Sequence, residues 1–115
     1  MADRTNPTAK DLIYRTQEKV NVLEFQNKKL FKELAVLNNL LSKQKELKKQ
    51  AHITLLSSDF EIYKAAQANL ILAIEQLKEI KGKIALLKKR IDFVSKELAI
   101  QKDLLEIRIK SYQKV

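Results

Sequence analysis

The sequence of residues 51–59 is AHITLLSSD, and this stretch decides the fold because it separates two halves that differ in heptad phase. Its Ser, Thr and Asp side chains favour helix caps and turns over helix interiors. Ser58, followed by Glu61 three residues later, forms the capping-box pattern that starts helices. The sequence therefore predicts a connector over residues 51–58 and a second helix from about residue 59.

The half before this connector carries a heptad pattern and has no Gly or Pro between residues 9 and 50. Asn6 before Pro7 is typical of a helix start, and Thr8 with Asp11 forms a second possible cap. The sequence predicts a flexible N-terminus over residues 1–7 and a helix from about residue 8 to about residue 50. The a positions of this heptad are Ile13, Val20, Asn27, Leu34 and Leu41, and the d positions are Thr16, Leu23, Leu30, Leu37 and Gln44.

The half after the connector carries a longer heptad series, and apolar residues repeated at a and d predict a coiled coil. The first series, counted forward in sevens, reaches Leu55, whereas the second, counted backward, reaches Leu56. We predict an all-α fold, an elongated antiparallel helical hairpin that forms one coiled-coil domain over residues 8–115, because a hairpin explains both the phase slip and the cap signals. Its second helix extends to about residue 114. The a positions of this series are Tyr63, Leu70, Leu77, Ile84, Ile91, Leu98, Leu105 and Tyr112, and the d positions are Ala66, Ala73, Ile80, Leu87, Val94, Gln101 and Arg108.

Two other folds are compatible with the same pattern. A single long helix with one skip residue would also shift the phase at the connector. A turn at Gly82 would give three helices instead of two. Gly82 lies at an f position, however, and the heptad phase continues through it unchanged, so the sequence favours an uninterrupted second helix.

Asn27 occupies an a position in the first helix. Residues 20–37 resemble a leucine zipper, in which a buried Asn of a parallel dimer pairs with the same residue of the second copy. In an antiparallel hairpin we expect Asn27 near Ile84, without that partner. The basic region of a DNA-binding zipper is missing, because Arg4 and Lys10 are the only cations before Ile13.

A second apolar stripe follows the c positions of the later half, where a two-stranded coiled coil should be polar. At about 100° per residue, the c and a positions lie on nearly opposite sides of a helix, so this helix offers apolar surface to two neighbours. Soluble monomers rarely leave a stripe of this size exposed. We predict packing into a multi-helix assembly, with a second copy or another protein, through Leu72, Leu86, Phe93, Ile100 and Ile107.

Lys and Arg number 23 against 14 Asp and Glu, which gives a formal charge of +9 and favours acidic partners. If the chain folds back near residue 55, two groups of lysines come level and form a basic collar for an acidic protein or a phosphate backbone. No aromatic stacking platform accompanies them, which disfavours sequence-specific binding of single strands. The collar comprises Lys28, Lys29, Lys32, Lys78, Lys81 and Lys83.

The chain has no Cys, one His and one Gly, so the sequence offers no thiolate site, no multi-histidine metal site and no glycine-rich phosphate loop. We expect no enzymatic activity and no cofactor. The N-terminal residues lack a signal-peptide pattern, and no apolar run approaches the roughly 18 residues of a membrane span, so we expect a soluble cytoplasmic protein.

These observations predict a non-enzymatic coiled-coil adaptor or structural subunit of a larger protein assembly. One alternative is a basic protein that binds the nucleic-acid phosphate backbone without sequence specificity. A second alternative is a small helical-hairpin chaperone or secretion-associated factor, which would hold its clients along the c stripe.

Overall fold

The structure is a computed structural model that describes residues 8–113. It contains two helices, α1 (Ala9–Thr54) and α2 (Phe60–Gln113). The fold class predicted from the sequence, an all-α antiparallel helical hairpin, is confirmed. The Asn6–Pro7 cap and the flexible terminus predicted for residues 1–7 lie outside the described residues.

The connector is shorter than predicted, because α1 continues to Thr54 rather than ending at about residue 50. The N-cap of α2 is Asp59 instead of the predicted Ser58. Asp59 Oδ1 accepts hydrogen bonds from the backbone N–H of Glu61 at 2.9 Å and of Ile62 at 3.4 Å. A carboxylate at this place also interacts favourably with the positive end of the helix dipole, which a serine hydroxyl does only weakly.

The start of α1 matches the capping box predicted for it. The Thr8 N–H donates to Asp11 Oδ2 at 3.3 Å, and the Asp11 N–H donates to Thr8 Oγ1 at 3.2 Å. These two bonds satisfy backbone donors that have no partner within the helix. The first described turn of α1 is therefore held by its own side chains.

Neither alternative fold is present. The connector interrupts the chain between Thr54 and Phe60, so the two halves do not form one continuous helix. Gly82 lies within α2 and has no positive φ, so it does not form a turn. No heavy atom lies within 4 Å of the place a Cβ would occupy on Gly82, which agrees with an outward-facing f position.

The described chain divides into two compact units. The terminal unit combines the residues up to Phe31 with those from Arg90 onward, and the turn unit comprises Lys32–Lys89. In each unit every buried side chain occupies an a or d position, so the heptad phase predicted for each helix is correct. The buried residues are Thr16, Val20, Leu30, Ile91 and Leu98 in the terminal unit, and Ala51, Ala66, Ala73, Leu77, Ile84 and Leu87 in the turn unit.

The pairing of Asn27 differs from the prediction. Ser95 Oγ donates to Asn27 Oδ1 at 3.4 Å, so Asn27 has a polar partner and does not lie beside Ile84. The prediction placed the fold at residue 55 and paired residues symmetrically about it. Ala51, near the end of α1, instead lines a groove together with Ala66, which lies well inside α2. The α1 residues Asn27 and Ala51 therefore lie opposite later residues of α2 than predicted.

Candidate functional site

The predicted c stripe is exposed along α2. In the terminal unit Phe93, Ile100 and Ile107 have exposed fractions of 66%, 56% and 61%. In the turn unit Leu72 and Leu86 have exposed fractions of 52% and 66%. These five side chains are as apolar as the buried a and d residues of the same helix, and the pairing of α1 with α2 does not cover them.

The turn unit contains a groove of about 440 Å³ beside the stripe residue Leu72. All residues that line it occupy c, d or g positions, so these positions of both helices face one side of the unit. Four of the lining residues are alanines, whose small side chains leave the groove open between larger neighbours. Its lining comprises Gln44, Leu47, Gln50, Ala51, Thr54, Ile62, Ala65, Ala66, Asn69, Leu72, Ala73 and Gln76.

The terminal unit has a groove of its own, of about 580 Å³, whose lining includes charged residues, in contrast to the groove of the turn unit. Val22 contributes an exposed apolar side chain at the α1 c position, the helix position that the stripe occupies on α2. Gln101 Oε1 is buried here and has no hydrogen-bond partner among the described residues. The lining comprises Arg15, Glu18, Lys19, Val22, Leu23, Gln26, Glu97 and Gln101.

Polar contacts join the two helices of the terminal unit. The Arg108 guanidinium donates to Thr16 Oγ1 and, at 3.4 Å, to the carbonyl of Leu12, while Thr16 Oγ1 donates to the same carbonyl at 2.7 Å. Lys102 forms an ion pair with Glu24 at 3.4 Å. The contact between Arg108 and Thr16 had a signal in the sequence, because both residues occupy d positions, where a cation and a hydroxyl are unusual in a heptad core.

The lysines of the predicted collar do not form it as described. Lys28 and Lys29 follow Asn27, which pairs with Ser95, so their predicted alignment with residues 78–83 is wrong. Lys28 and Lys29 belong to the terminal unit, whereas Lys32, Lys78, Lys81 and Lys83 belong to the turn unit. All six side chains are exposed, and Lys83 forms an ion pair with Glu79 at 3.2 Å.

The outer face of α1 in the terminal unit presents Tyr14 and Phe25, with exposed fractions of 65% and 70%. The Tyr14 hydroxyl donates a hydrogen bond to the Glu18 carboxylate, whose negative charge also opposes formation of the phenolate, and both effects raise the pKa of Tyr14 above its usual value of 10.0. These two aromatic side chains resemble the c stripe in size and exposure but lie at b and f positions. They therefore offer a matched comparison for tests of the stripe.

Within residues 8–113 there is no group of three or more His, Asp or Glu side chains arranged to hold a metal ion. Over the same range, neither helix has an apolar segment long enough to cross a membrane. Searches against protein-family models, curated proteins and solved structures found no match to this chain.

Proposed function

We propose that the chain is a non-enzymatic coiled-coil adaptor or structural subunit of a larger protein assembly. It acts by packing the exposed c-position side chains of α2 against helices of a protein partner or of a second copy. The two-helix pairing uses the a and d positions of α2 and leaves the c positions free for this second contact.

The exposure of Phe93, Ile100 and Ile107 is the observation that carries this proposal. They recur every seven residues, which places them on one side of α2 about 10.5 Å apart along the helix axis. A partner helix with its own heptad repeat offers apolar side chains at the same interval. Full burial of each large apolar side chain is worth about 1.5–3 kcal/mol, so three of them supply a substantial part of a binding free energy.

The groove in the turn unit supports the same proposal. Its alanines leave room for the side chains of a partner helix, and Leu47, Ile62 and Leu72 provide apolar edges. Gln44 Oε1 lies buried in the lining without a hydrogen-bond partner in the described chain, and Gln50 and Gln76 add further amides. Such a groove, with an apolar rim and a few amide groups, suits an amphipathic helix better than a small charged ligand.

The test replaces Phe93 and Ile100 with Ser in the full-length chain and compares the product with a Tyr14→Ser, Phe25→Ser chain. Both variants remove two large exposed side chains from the terminal unit. We expect the first variant to lose its partner or its oligomeric mass and the second to retain both. Affinity capture from the native cells and sedimentation velocity measure the two outcomes, and circular dichroism verifies that both variants remain helical.

If the Phe93, Ile100 variant keeps both its mass and its partner, the stripe is ordinary surface and the proposal is wrong. Capture of one protein at a fixed stoichiometry supports the adaptor. Capture of many proteins at low stoichiometry, lost in the same variant, supports the chaperone alternative instead.

A further inference from the structure

One side of the turn unit carries six of its eleven lysines. These six occupy e and b positions, and all six are exposed. None of the six forms an ion pair with another residue of the described chain, in contrast to Lys83, which pairs with Glu79. We call this surface the basic face, and it consists of Lys45, Lys49, Lys64, Lys78, Lys81 and Lys88.

The groove shows that lysines from both helices share this face. The c and g positions of α1 and α2 lie on the groove side, as Gln50 and Leu47 of α1 and Leu72 and Asn69 of α2 demonstrate. In a helix pair the e and g positions flank the core on opposite sides, and b lies next to e. The e and b positions of both helices therefore lie together on the side away from the groove.

No acidic residue occupies an e or b position of the basic face, although three glutamates border it at f positions. In α1 and α2 of the turn unit, every Asp or Glu occupies a c, f or g position. Six positive charges therefore share one side of the unit. Glu46, Glu61 and Glu75, at f positions beside it, form no ion pair with these lysines in the described chain. Such an arrangement raises the local concentration of anions and accelerates their association. The acidic residues of these helices are Glu33, Glu46, Glu61, Glu75 and Glu79.

We infer that the basic face binds the phosphate backbone of double-stranded nucleic acid without reading its sequence. Residues 32–89 contain no Arg, and Lys acts as a point charge that lacks the planar fork with which Arg recognises bases. Lys64 and Lys88 are 24 residues apart on α2, about 36 Å at a rise of 1.5 Å per residue. This length matches about one turn of a duplex, roughly 34–36 Å.

Most of the exposed apolar side chains on the α1 and α2 faces of the turn unit lie away from the basic face, which favours a duplex over a lipid bilayer. Helices that lie in a membrane interface present basic side chains beside a large apolar surface that enters the lipid. In the turn unit the exposed Leu47, Leu72 and Leu86 occupy g and c positions, on the side away from the basic face. The large apolar side chains at e and b positions of α2 in this unit are Phe60, Ile71 and Ile74, exposed by 64%, 54% and 37%, and the Lys64 ammonium lies over the Phe60 ring. They are outnumbered by the six exposed at c and g positions of the unit, which are Val36, Leu40, Leu47, Ile62, Leu72 and Leu86.

The test titrates the full-length chain with a fluorescent 20-base-pair duplex of mixed sequence at 50 and 200 mM salt. Six phosphate contacts predict a loss of about 10³-fold in affinity over this range, and three contacts predict a loss of about 40-fold. We expect the Lys78→Gln, Lys81→Gln, Lys88→Gln chain to show the smaller loss. A charge-matched control, Lys32→Gln, Lys43→Gln, Lys83→Gln, changes three lysines outside the face and should keep the larger loss.

Equal behaviour of the two triple variants would show that overall charge alone binds the duplex and would overturn the proposal. Failure of the wild-type chain to bind would overturn it as well. A clear preference between two duplexes of unrelated sequence would contradict backbone binding. Phosphatidylserine vesicles and polyglutamate serve as further probes, and either one binding in place of the duplex identifies a lipid or an acidic protein as the occupant instead. The Phe93, Ile100 variant should bind the duplex normally, so this test is independent of the proposed adaptor function.

Discussion

The two units have the same heptad geometry and different interiors. The buried residues of the turn unit are Ala, Leu and Ile, and the buried Gln44 Oε1 beside them has no hydrogen-bond partner among the described residues. The terminal unit buries Thr16 and pairs Asn27 with Ser95 and Thr16 with Arg108 across its helices. An apolar interior stabilises many pairings of two helices about equally, because the hydrophobic effect is not directional. A polar pair tolerates few alternatives, since a mismatched donor or acceptor stays unsatisfied. We therefore expect the polar contacts of the terminal unit to restrict the register of its two helices, whereas the alanines of the turn unit leave a groove.

The largest effect should follow a loss of volume in the turn-unit core. Replacing Ile84 with Ala removes a buried a-position side chain and leaves a cavity, so we expect a loss of about 2–5 kcal/mol in the free energy of unfolding. Ile71, exposed by 54%, is the matched control, and its replacement by Ala should cost far less. Urea unfolding followed by circular dichroism measures both. Equal costs at the two positions would contradict the assignment of core and surface in this unit.

Arg108 should show the next largest effect, in the terminal unit. Replacing Arg108 with Ala leaves Thr16 Oγ1 without its donor and opens space in the core, at a cost of about 1–3 kcal/mol. Replacing it with Met keeps most of the volume and removes a partly buried charge, so we expect a change near zero. Hydrogen exchange at the backbone amides of residues 12–20 measures the local loss of stability around Thr16. If Arg108→Met lowers the free energy of unfolding as much as Arg108→Ala does, the charge of Arg108 itself stabilises the terminal unit. The comparison of the two unit interiors must then be revised.

The Asn27–Ser95 pair tests whether polar contacts define register. A double-mutant cycle with Asn27→Ala and Ser95→Ala should give a coupling of about 0.5–1.5 kcal/mol. Replacing Asn27 with Leu should leave stability unchanged or increase it while permitting other pairings of the helices. Spin labels at the exposed positions 21 and 103 of one chain, diluted with unlabelled protein, detect this as a broadened distance distribution. A single narrow distance in the Leu variant would mean that the apolar contacts suffice.

The helix caps should show the smallest effects and should be similar in the two units. Replacing Asp59 with Ala removes the bonds to the N–H groups of Glu61 and Ile62, and Thr8→Ala breaks the capping box of α1. Each should lower the free energy of unfolding by about 1 kcal/mol. Ser58→Ala is the control and should change stability by less than about 0.5 kcal/mol. Thermal unfolding compares the stabilities of the three variants. A larger loss of stability for Ser58→Ala than for Asp59→Ala would show that Ser58, and not Asp59, is the N-cap of α2.

Periodicity accounts for what the sequence predicted well. Burial at a and d depends only on the spacing of apolar residues along each helix, so the core residues and the exposed c stripe followed from the heptad count. The heptad count could not predict the partner of Asn27. That partner depends on how many residues separate the last paired residue of α1 from the first paired residue of α2. The collar of lysines was misplaced for the same reason. The basic face became visible only once the groove had shown which positions of the two helices share a side.

The number of residues between two paired positions determines the order in which the contacts of this hairpin are expected to form. Ala51 and Ala66 share a groove 15 residues apart, whereas Asn27 and Ser95 are 68 residues apart and Thr16 and Arg108 are 92 apart. Closing a loop costs more entropy as it lengthens, so pairing is expected to begin beside the connector and proceed toward the chain ends. Ala66→Gly should then slow folding, whereas Leu98→Ala should chiefly speed unfolding, and the reverse pattern in stopped-flow kinetics would contradict this order. We therefore expect the polar contacts of Thr16 and Asn27 to form last, after the apolar residues have already brought the two helices into approximate alignment.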